Sequence, residues 1–465
     1  MELVPFRTPG LGDTSYLLAS DGEAVLVDPQ RDAWRFVDAA KERGWRVTHV
    51  LETHVHNDYV SGAMETRAAT GAEVVAPARG HYDFAIRGAD EGDVLEVGGL
   101  RITAAATPGH TPEHLSWFVG GSDGPNDAPP EAVFSGGSLL VGSVGRTDLL
   151  GPALANAMAA DQQRTLQRFA ALPDNVAILP THGAGSFCSA GPATGKWHTS
   201  IGAERFANPV FGAAGDSVDA FRERLSAGFG RYPAYYAHMA GINRAGPRVL
   251  GALRLPGALT PEELEANVAR GATVVDARAR TDFAAGHVEG SINVELDADF
   301  ASYVGWLVPF GSPVVLVLPD PADESATEAI TQLLRIGYDW VPGWLDGGIE
   351  AWRASGRPTA SYGIVGLGEL AAQDVRERGF VLDVRQPSEW RDEGVVPGST
   401  QVFVGDLPAR IGELPKDEPI TVLCRSGYRA SIAASLLDRA GHEVRLVARG
   451  GAPNWPGQLT APDPG

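Results

Sequence analysis

The sequence predicts an α+β domain followed by two α/β domains of similar design. The prediction has three grounds: the length of 465 residues, an internal repeat in the second half, and many short apolar runs in the first half. At roughly 150 residues per domain, this length indicates about three domains. Hydrophobic residues make up 44% and charged residues 21% of the chain, a balance typical of folded globular protein.

The first half alternates short strand-like runs with helical stretches. The runs are residues 15–18, 24–27, 102–105, 115–119, 132–135 and 177–179. Such a pattern predicts a layered α+β domain, which we place at residues 1–240. Residues 236–257 mix glycine, proline and polar side chains without a sustained period, so we expect a linker or boundary there.

The second half contains two copies of one pattern: an apolar strand, Asp-x-Arg, an acidic helical stretch and a glycine-containing turn. One copy starts at Thr273 and the other at Phe380, and each ends in Gly-Gly-x3-Trp. Strands rich in β-branched residues that alternate with amphipathic helices predict parallel sheets covered on both faces. We place these α/β domains at residues 258–358 and 362–460.

Charge and cysteine content limit the classes of partner. The formal charge is 38 − 58 = −20, and a field of this sign repels nucleic acids and anionic membranes, so we expect neither as a partner. Only Cys188 and Cys424 are present, too few for a disulfide framework. No run approaches the roughly 18 apolar residues of a membrane span. We therefore expect a cytoplasmic protein with a small-molecule substrate, and homo-oligomerisation stays open.

Histidines and a carboxylate follow several predicted strands of the first domain. His54, His56 and Asp58 form a His-x-His-x-Asp motif, and His110 and His182 each stand beside glycine. Loops that leave neighbouring strands can bring such side chains to one cleft. Imidazole and carboxylate are the donors that zinc and non-haem iron prefer. The five residues therefore predict a metal centre.

The motif and its flanking segments ETHVHNDYVSG and GHTPEH resemble metallo-β-lactamase-fold hydrolases, most closely the persulfide dioxygenase and glyoxalase II branch. The resemblance implies an αββα sandwich with metal at the sheet edges. Tyr59 stands where the family signature has a third histidine. Gly137 stands where the family has an aspartate that bridges two ions or completes a single iron site.

These two departures predict a reduced metal centre. The second ion of a dinuclear site would lose two ligands, so we expect a single Fe(II) or Zn(II) on His54, His110 and either His56 or Asp58. We expect this ion to be weakly or substoichiometrically bound and dioxygenase activity to be reduced or absent. On this hypothesis, Gly137→Asp raises both. The alternative is a domain that has lost its metal.

Cys424 stands at a predicted turn between a strand and a helix. It is followed by Arg425, Ser426, Gly427 and, after one more residue, Arg429. Backbone N–H groups in such a turn, the positive end of the helix and two arginines should all favour the thiolate. The alternative is a buried, inert cysteine.

The Cys424 loop resembles the active loop of rhodaneses, sulfurtransferases in which cysteine carries a persulfide. The resemblance implies that Cys424 is the sulfur carrier and that Arg425, Ser426, Gly427 and Arg429 complete its loop. The loop is one residue shorter than the Cys-x5-Arg motif of Cys-dependent phosphatases. The first α/β copy has the same frame, but residues 319–321 read Pro-Asp-Pro where the cysteine loop would begin. We therefore predict a catalytically silent rhodanese-like domain there.

The resemblances predict a protein of sulfur metabolism and sulfide detoxification. A persulfide dioxygenase-like metal domain would be coupled to a rhodanese that acts on low-molecular-weight thiol persulfides or thiosulfate through Cys424. One alternative is a thioester hydrolase of the glyoxalase II type. Another is a non-catalytic sulfur-binding or sensing protein with a degenerate metal site. Cys188 is either a minor core residue or a relay thiol beside the metal centre.

Overall fold

The computed structural model describes residues 1–125, 128–183, 185–191 and 194–462. The chain divides into two units, Met1–Leu253 with Leu334–Gly337 and Arg254–Leu333 with Tyr338–Gly465. Within the described residues, no helix is both long and apolar enough to cross a membrane.

The first unit begins with a six-stranded sheet and two helices. These elements are β1 (Glu2–Thr8), β2 (Asp13–Ser20), β3 (Glu23–Val27), α1 (Trp34–Glu42), β4 (Arg46–Leu51), α2 (Ala63–Thr70), β5 (Glu73–Pro77) and β6 (Arg87–Ala89). The strands lie in chain order, antiparallel from β1 to β3 and parallel from β3 to β6. Because successive residues of a strand point to opposite faces, Tyr16 and Leu18 join one core and Leu17 and Ala19 another.

A second six-stranded sheet follows, with five helices. These elements are β7 (Val94–Val97), β8 (Leu100–Ala106), β9 (Leu115–Gly121), β10 (Ala132–Gly136), α3 (Pro152–Ala170), β11 (Ala177–Pro180), β12 (Thr199–Ser200), α4 (Ile201–Ala207), α5 (Pro209–Gly212), α6 (Val218–Ser226) and α7 (Tyr236–Ala245). The strand order is β12-β11-β10-β9-β8-β7. Neighbours are antiparallel except for β10 and β11, which are parallel.

Three apolar cores separate the layers of this unit. The central core takes side chains from both sheets, among them Tyr16, Ile102 and Trp117. A second core joins the first sheet to Phe36 of α1, and a third joins the second sheet to Phe169 of α3. Each fully buried side chain of this size stabilises the fold by about 1.5–3 kcal/mol. The predicted αββα sandwich is confirmed.

Helix α7 lies where the sequence indicated a linker. Met239 is fully buried and Asn243 is 3% exposed. The Asn243 side chain donates from Nδ2 to the carbonyls of His56 (2.9 Å) and Tyr59 (2.8 Å). The glycine and proline residues that suggested a linker lie mostly after the helix. The first unit therefore continues beyond residue 240, to Leu253.

The second unit begins with a five-stranded sheet. The elements of this part are β13 (Ala258–Leu259), α8 (Pro261–Ala269), β14 (Thr273–Asp276), α9 (Arg280–Ala285), β15 (His287–Val288), β16 (Ile292–Asn293), α10 (Phe300–Leu307), β17 (Val314–Val317), α11 (Ala322–Arg335), β18 (Gly343–Leu345), α12 (Gly348–Ala354) and β19 (Thr359–Ala360). The strand order is β13-β18-β17-β14-β16, all parallel. A separate antiparallel ribbon pairs β15 with β19.

The last part of the chain forms a second sheet of the same design. Its elements are β20 (Gly363–Ile364), α13 (Leu367–Ala372), β21 (Phe380–Asp383), α14 (Pro387–Glu393), β22 (Thr400–Gln401), α15 (Leu407–Arg410), β23 (Ile420–Leu423), α16 (Tyr428–Arg439) and β24 (Val444–Leu446). The order β20-β24-β23-β21-β22 repeats that of the preceding sheet, again with all pairs parallel. The internal repeat of the sequence is therefore a repeat of structure.

The Asp-x-Arg signature has the same role in both copies. Arg385 donates to Asp383 from Nε (3.0 Å) and Nη2 (2.7 Å), and Arg278 donates to Asp276 from Nε (3.0 Å) and Nη2 (2.6 Å). Paired N–H donors on a carboxylate give a strong and directional contact. Each pair thus fixes the chain as it leaves β14 in the first copy and β21 in the second.

Candidate metal centre and cysteine loop

The structure gathers the five predicted metal ligands into one buried cluster of the first unit. His54, His56 and Asp58 follow β4, His110 lies between β8 and β9, and His182 follows β11. Each of the five side chains is at most 1% exposed. Loops at strand ends therefore bring together residues that lie far apart in sequence.

Three imidazoles are arranged to share one ion. His54, His110 and His182 each offer a donor atom within 4.8 Å of the others. The Nε2 atoms of His54 and His182 lie 3.3 Å apart. The Nε2 atom of His110 is buried without a hydrogen-bond partner, as expected of a nitrogen that faces a metal position. The donor set therefore fits a divalent ion.

The other ring nitrogens of these histidines are held by polar groups. His54 Nδ1 lies 2.8 Å from Thr53 Oγ1, and His110 Nδ1 lies 2.9 Å from the Arg146 carbonyl. His182 Nδ1 lies 2.9 Å from Asp13 Oδ1 and 3.2 Å from Asp58 Oδ2. Such contacts fix the rotation of each ring and direct Nε2 toward the position that a metal ion could take.

The protonation of the three rings differs. Burial and the neighbouring imidazoles hold the pKa of His54 well below its usual range. Burial and His182 lower the pKa of His110 to about 3. Burial opposes a charge on His182, but Asp58 and Asp13 raise its pKa to about 10. Metal binding at this site would therefore displace a proton from His182.

His56 is turned toward carboxylates rather than toward these three rings. Its Nε2 lies 3.0 Å from Glu52 Oε2 and 3.2 Å from Asp28 Oδ1, and 3.1 Å from the Tyr59 hydroxyl. Burial opposes the charged ring, yet Asp28 and Glu52 raise the pKa of His56 well above its usual range. His56 is therefore an ion-pair partner in this arrangement. The third imidazole beside His54 and His110 is His182.

Two overlapping groups also bring three donor atoms within 4.8 Å, Asp28 with His54 and His56, and His56 with Asp58 and His182. Both contain carboxylate–histidine ion pairs that are already formed. Sequence inspection did not assign roles to Asp13, Asp28 or Glu52. The available signal was a carboxylate directly after an apolar strand, as Asp28 is after β3 and Glu52 is after β4.

Gly137 provides the space that the His110 ring occupies. A Cβ atom at position 137 would lie 2.2 Å from His110 Cδ2. Gly145 packs on the same ring, since a Cβ there would lie 2.7 Å from His110 Nδ1. The expectation that Gly137→Asp would rebuild a metal site is therefore revised. In this arrangement an aspartate would displace the His110 ring.

A cavity of about 190 Å³ reaches the cluster at His182 and Asp13. Its wall also includes Arg7, Lys196 and Trp197. The Arg7 guanidinium lies 5.7 Å from the centre of the Trp197 ring. The approach to the cluster therefore combines two cationic side chains with an aromatic face.

The cysteine loop connects β23 to α16, as the sequence predicted. Cys424 is fully buried, and the Gly427 N–H donates to its Sγ at 3.1 Å. Gly427 has a φ of 99°, and a Cβ there would lie 2.2 Å from the Ala448 carbonyl oxygen. Only glycine fits this position without strain. The backbone of the loop is held on the other side by Ala452, which donates its N–H to the Cys424 carbonyl at 2.9 Å.

Both arginines of this loop are paired with glutamates. Arg429 donates from Nη2 to Glu389 Oε1 at 2.8 Å, and its Nη1 binds Oε2 of the same side chain. Arg425 pairs with Glu393. Burial opposes the charges of Arg429 and Glu389, but the ion pair between them raises the pKa of Arg429 and lowers the pKa of Glu389. The cationic field expected from the sequence is therefore partly neutralised.

Cys188 lies in the core of the first unit. Its side chain is 1% exposed, and its Sγ lies 3.9 Å from the Tyr236 hydroxyl. Burial raises the pKa of the Cys188 thiol well above its usual range, and the nearby charges of Asp58 and Asp13 add to this. These features favour the core residue over the relay thiol, since a relay needs the thiolate.

Family models match three parts of the chain. Residues 8–182 match the metallo-beta-lactamase superfamily, and residues 260–355 and 368–457 each match the rhodanese-like domain. A hydroxyacylglutathione hydrolase of Methylobacterium nodulans is 36% identical over 184 residues, which cover 36% of this chain and 65% of that protein. A hydroxyacylglutathione hydrolase of Polaromonas is 34% identical over 173 residues, which cover 36% and 61%. The chain thus spans less than two thirds of the length of these relatives.

A solved structure extends the similarity into the second half. A metallo-beta-lactamase from Staphylococcus aureus is similar over 74% of this chain and 98% of that one, with a TM-score of 0.65 and 27% identity. The fold, the family matches and the repeated α/β sheets agree with one another. The chain consists of a metallo-beta-lactamase superfamily domain followed by two rhodanese-like domains.

Proposed function

We propose that this chain is an enzyme of sulfur metabolism that transfers sulfane sulfur through Cys424 and couples this transfer to a metal domain. The observation that carries the proposal is the hydrogen bond from the Gly427 N–H to Cys424 Sγ, 3.1 Å long, at the start of α16. An N–H donor and a helix N-terminus both stabilise negative charge on sulfur. The thiol is fully buried, so a donor has to enter the loop to reach it, and these two groups would stabilise the attacking thiolate there.

The proposed reaction moves one sulfur atom without net oxidation. The Cys424 thiolate attacks the outer sulfur of a thiol persulfide, R–S–SH. An Sγ–S bond forms, the donor S–S bond breaks, and its electron pair leaves with the thiolate R–S⁻. Cys424 then holds a persulfide, whose outer sulfur an acceptor such as sulfite removes to give thiosulfate. Arg429 and Arg425 lie at the loop. Their ion pairs with Glu389 and Glu393 weaken their attraction for an anionic donor.

For the first domain we propose a divalent ion, Fe(II) or Zn(II), on His54, His110 and His182. When bound, such an ion supplies a Lewis acid with open coordination positions. The substrate we propose is a low-molecular-weight thiol persulfide, and the cavity beside His182 supports this choice. Arg7 and Lys196 line that cavity, and their charges attract an anionic thiol compound.

Thioester hydrolysis is the second candidate for the first domain. It is favoured by the all-nitrogen donor set, which suits zinc, and by the hydrolases among the relatives of this domain. The two candidates differ in what they consume. A persulfide dioxygenase takes up O2 and yields sulfite, whereas a hydrolase cleaves a thioester without O2.

Mass spectrometry tests the proposal for Cys424. The full chain is incubated with thiosulfate or cysteine persulfide, and the Cys424 peptide should gain the mass of one sulfur atom. Cys424→Ser should abolish sulfur transfer to cyanide or sulfite, while Cys188→Ser should leave it unchanged. Full transfer by Cys424→Ser would refute the assignment.

Metal analysis and substrate consumption test the first domain. Protein purified without oxygen is analysed for bound iron and zinc, then supplied with a thiol persulfide in an oxygen electrode or with a thioester. Oxygen uptake that depends on His110 would support the dioxygenase. Thioester loss with zinc bound would support the hydrolase. Sulfur uptake by Cys424 with neither activity would leave a protein that only binds sulfur.

A further inference from the structure

We propose that Arg280, a residue of the rhodanese-like domain without a cysteine, is a positioning residue for Cys424. Its guanidinium binds the carbonyl of Ser426 and so fixes the peptide group whose N–H donates to Cys424 Sγ. The inference rests on the proposed role of Cys424. It gives the silent domain a part in sulfur transfer that its own sequence does not suggest.

The guanidinium of Arg280 is held in place by one carboxylate. Its Nε donates to Glu295 Oε1 at 2.9 Å, its own backbone N–H donates to the same oxygen at 2.5 Å, and Nη2 binds Oε2. This leaves Nη1, which donates to the Ser426 carbonyl at 3.0 Å. Because the Arg280 guanidinium is anchored through Nε and Nη2, its Nη1 donor has a defined direction.

The geometry of a peptide bond connects this contact to the sulfur. The Ser426 carbonyl and the Gly427 N–H belong to one trans peptide group, so they point in opposite directions. Arg280 binds the carbonyl oxygen, and the N–H therefore faces Cys424 Sγ, to which it donates at 3.1 Å. If this peptide group rotated by half a turn, its oxygen would face the sulfur instead.

Glycine makes such a rotation accessible. Gly427 has a φ of 99°, and glycine populates both signs of φ with little cost. Another group is therefore needed to choose the orientation, and a charged donor on the carbonyl does so. The same charge polarises the peptide group and strengthens its N–H as a donor.

Arg280 is not part of the pattern that the two copies share. Asp276 and Arg278 correspond to Asp383 and Arg385, and two residues further on the second copy has Pro387 where the first has Arg280. A structural role common to both copies would predict the same residue type in both. The difference fits a contact that only the first copy makes.

Other contacts join the same helix to the silent domain. The backbone N–H of Asn293, a residue of the silent domain, donates to Ser435 Oγ on α16 at 3.0 Å. The Asn293 side chain donates within its own domain. Tyr428 donates its hydroxyl to the Glu295 carbonyl at 3.2 Å. Removal of the Arg280 side chain therefore leaves α16 attached, and a change in sulfur chemistry can be separated from loss of docking.

Several charged or titratable groups surround Cys424 and its loop, and each has to be held constant in a test. From the silent domain these are Arg280, Glu295, Asp297, Asp299 and Tyr303, and from the last domain Glu389, Glu393, Arg425, Tyr428 and Arg429. Removal of Arg280 alone leaves the Glu295 carboxylate uncompensated near the loop. The double variant Arg280→Ala/Glu295→Gln removes one charge of each sign and isolates the effect of orientation.

The test follows alkylation of Cys424 by iodoacetamide in the full chain, by mass spectrometry of the Cys424 peptide, across a range of pH. Rates are divided by the plateau at high pH, so that changes in access to the loop cancel. In Arg280→Ala and in the double variant, the normalised rate at neutral pH should fall by about three- to tenfold, because a donor to the thiolate is lost. Arg280→Lys should recover part of the rate.

The controls decide between the explanations. Arg270→Ala removes an exposed arginine of the same domain that contacts Asn267, and it should match the wild type. The melting temperature should stay close to that of the wild type in the double variant and in Arg270→Ala, whereas Arg280→Ala alone should lower it because Glu295 loses its partner. Superimposable pH curves for wild type and the double variant would overturn the proposal. Because alkylation needs no sulfur donor, failure of the wild type to take up sulfur would refute the proposed function separately.

Discussion

The guanidinium of Arg429, on α16, is bound through two nitrogens by both carboxylate oxygens of Glu389, which lies on α14 of the same domain. The cation that the sequence assigns to a sulfur donor is therefore already engaged by an internal anion. A donor anion has to compete with Glu389 or share the arginine with it. This competition gives the loop a testable dependence on both residues.

Arg429→Ala should slow sulfur loading from thiosulfate by about tenfold, because a charge-assisted hydrogen bond to the anionic donor is lost. The same change leaves the Glu389 carboxylate without its partner and should lower the melting temperature. Adding Glu389→Gln should restore most of the stability without restoring the loading rate. If the double variant loads sulfur as fast as the wild type, Arg429 does not bind the donor.

The ion pair between Glu389 and Arg429 should make stability depend on acid pH. Burial opposes the charge, but Arg429 holds the pKa of Glu389 below its usual 4.5, so the folded state binds the proton less readily than the unfolded state. The stabilisation is then present above pH 4.5 and is lost as the pH falls through the lowered value. Glu389→Gln should cost about 1–3 kcal/mol at pH 7, since Arg429 loses a charged acceptor at a partly exposed site. This difference should shrink as the pH falls below 4.5 and should vanish only below the lowered pKa of Glu389.

Chemical denaturation of Glu389→Gln and wild type at pH 7 and at pH 4 measures this change. Glu413→Gln is the matched control, since Glu413 pairs with Arg410 at the surface with 58% of its side chain exposed. It should have little effect at either pH. An equal cost of Glu389→Gln at both values would contradict the prediction.

His110 and His56 should differ in what their loss does. His110→Asn removes one of three ring donors and should lower the metal-to-protein ratio by at least about tenfold. His56→Asn should retain metal but destabilise the fold by about 3–5 kcal/mol, because Glu52 and Asp28 lose a buried partner. Inductively coupled plasma mass spectrometry measures the metal content, and thermal unfolding measures the stability. His49→Asn, on β4 beside Glu73, should change neither, and loss of metal in His56→Asn would assign His56 as a ligand.

Gly137→Asp should reduce metal content and melting temperature. The new side chain would start 2.2 Å from a carbon of the His110 ring, and a buried carboxylate without a partner is costly. Gly212→Asp, at an exposed position with nothing within 4 Å of the new Cβ, is the control. If Gly137→Asp instead raised iron content, His110 would have to move aside and the site would take one carboxylate with two imidazoles.

Features set by local sequence could be predicted. The repeated strand order follows from two similar runs of strand and helix, and the turn at Cys424 follows from an apolar strand that meets Gly427 and a helical stretch. The place of His182 beside His54 and His110, where His56 or Asp58 was expected, could not be predicted, but the five candidate ligands could be gathered into one centre because they follow predicted strands. In all of these cases the signal lies within about ten residues of the feature.

Features set by distant partners could not be predicted. The rotation of His56 depends on Asp28, which ends a neighbouring strand. The neutralisation of Arg429 depends on Glu389, on another helix. The contact of Arg280 with Ser426 joins two domains. None of these pairings leaves a periodicity or a spacing in the sequence, because each follows only from the packing of complete elements.

The support beneath Cys424 has a consequence for the order in which the protein is made. The Cys424 carbonyl accepts from the N–H of Ala452, and Gly451 packs so closely that a Cβ there would lie 2.0 Å from the same oxygen. In the chain order, α16 and β24 lie between Cys424 and this turn. The chain therefore cannot complete its sulfur-handling loop until β24 and the Gly-Gly turn have been translated, and a chain that ends before Gly450 lacks the support for the Cys424 carbonyl.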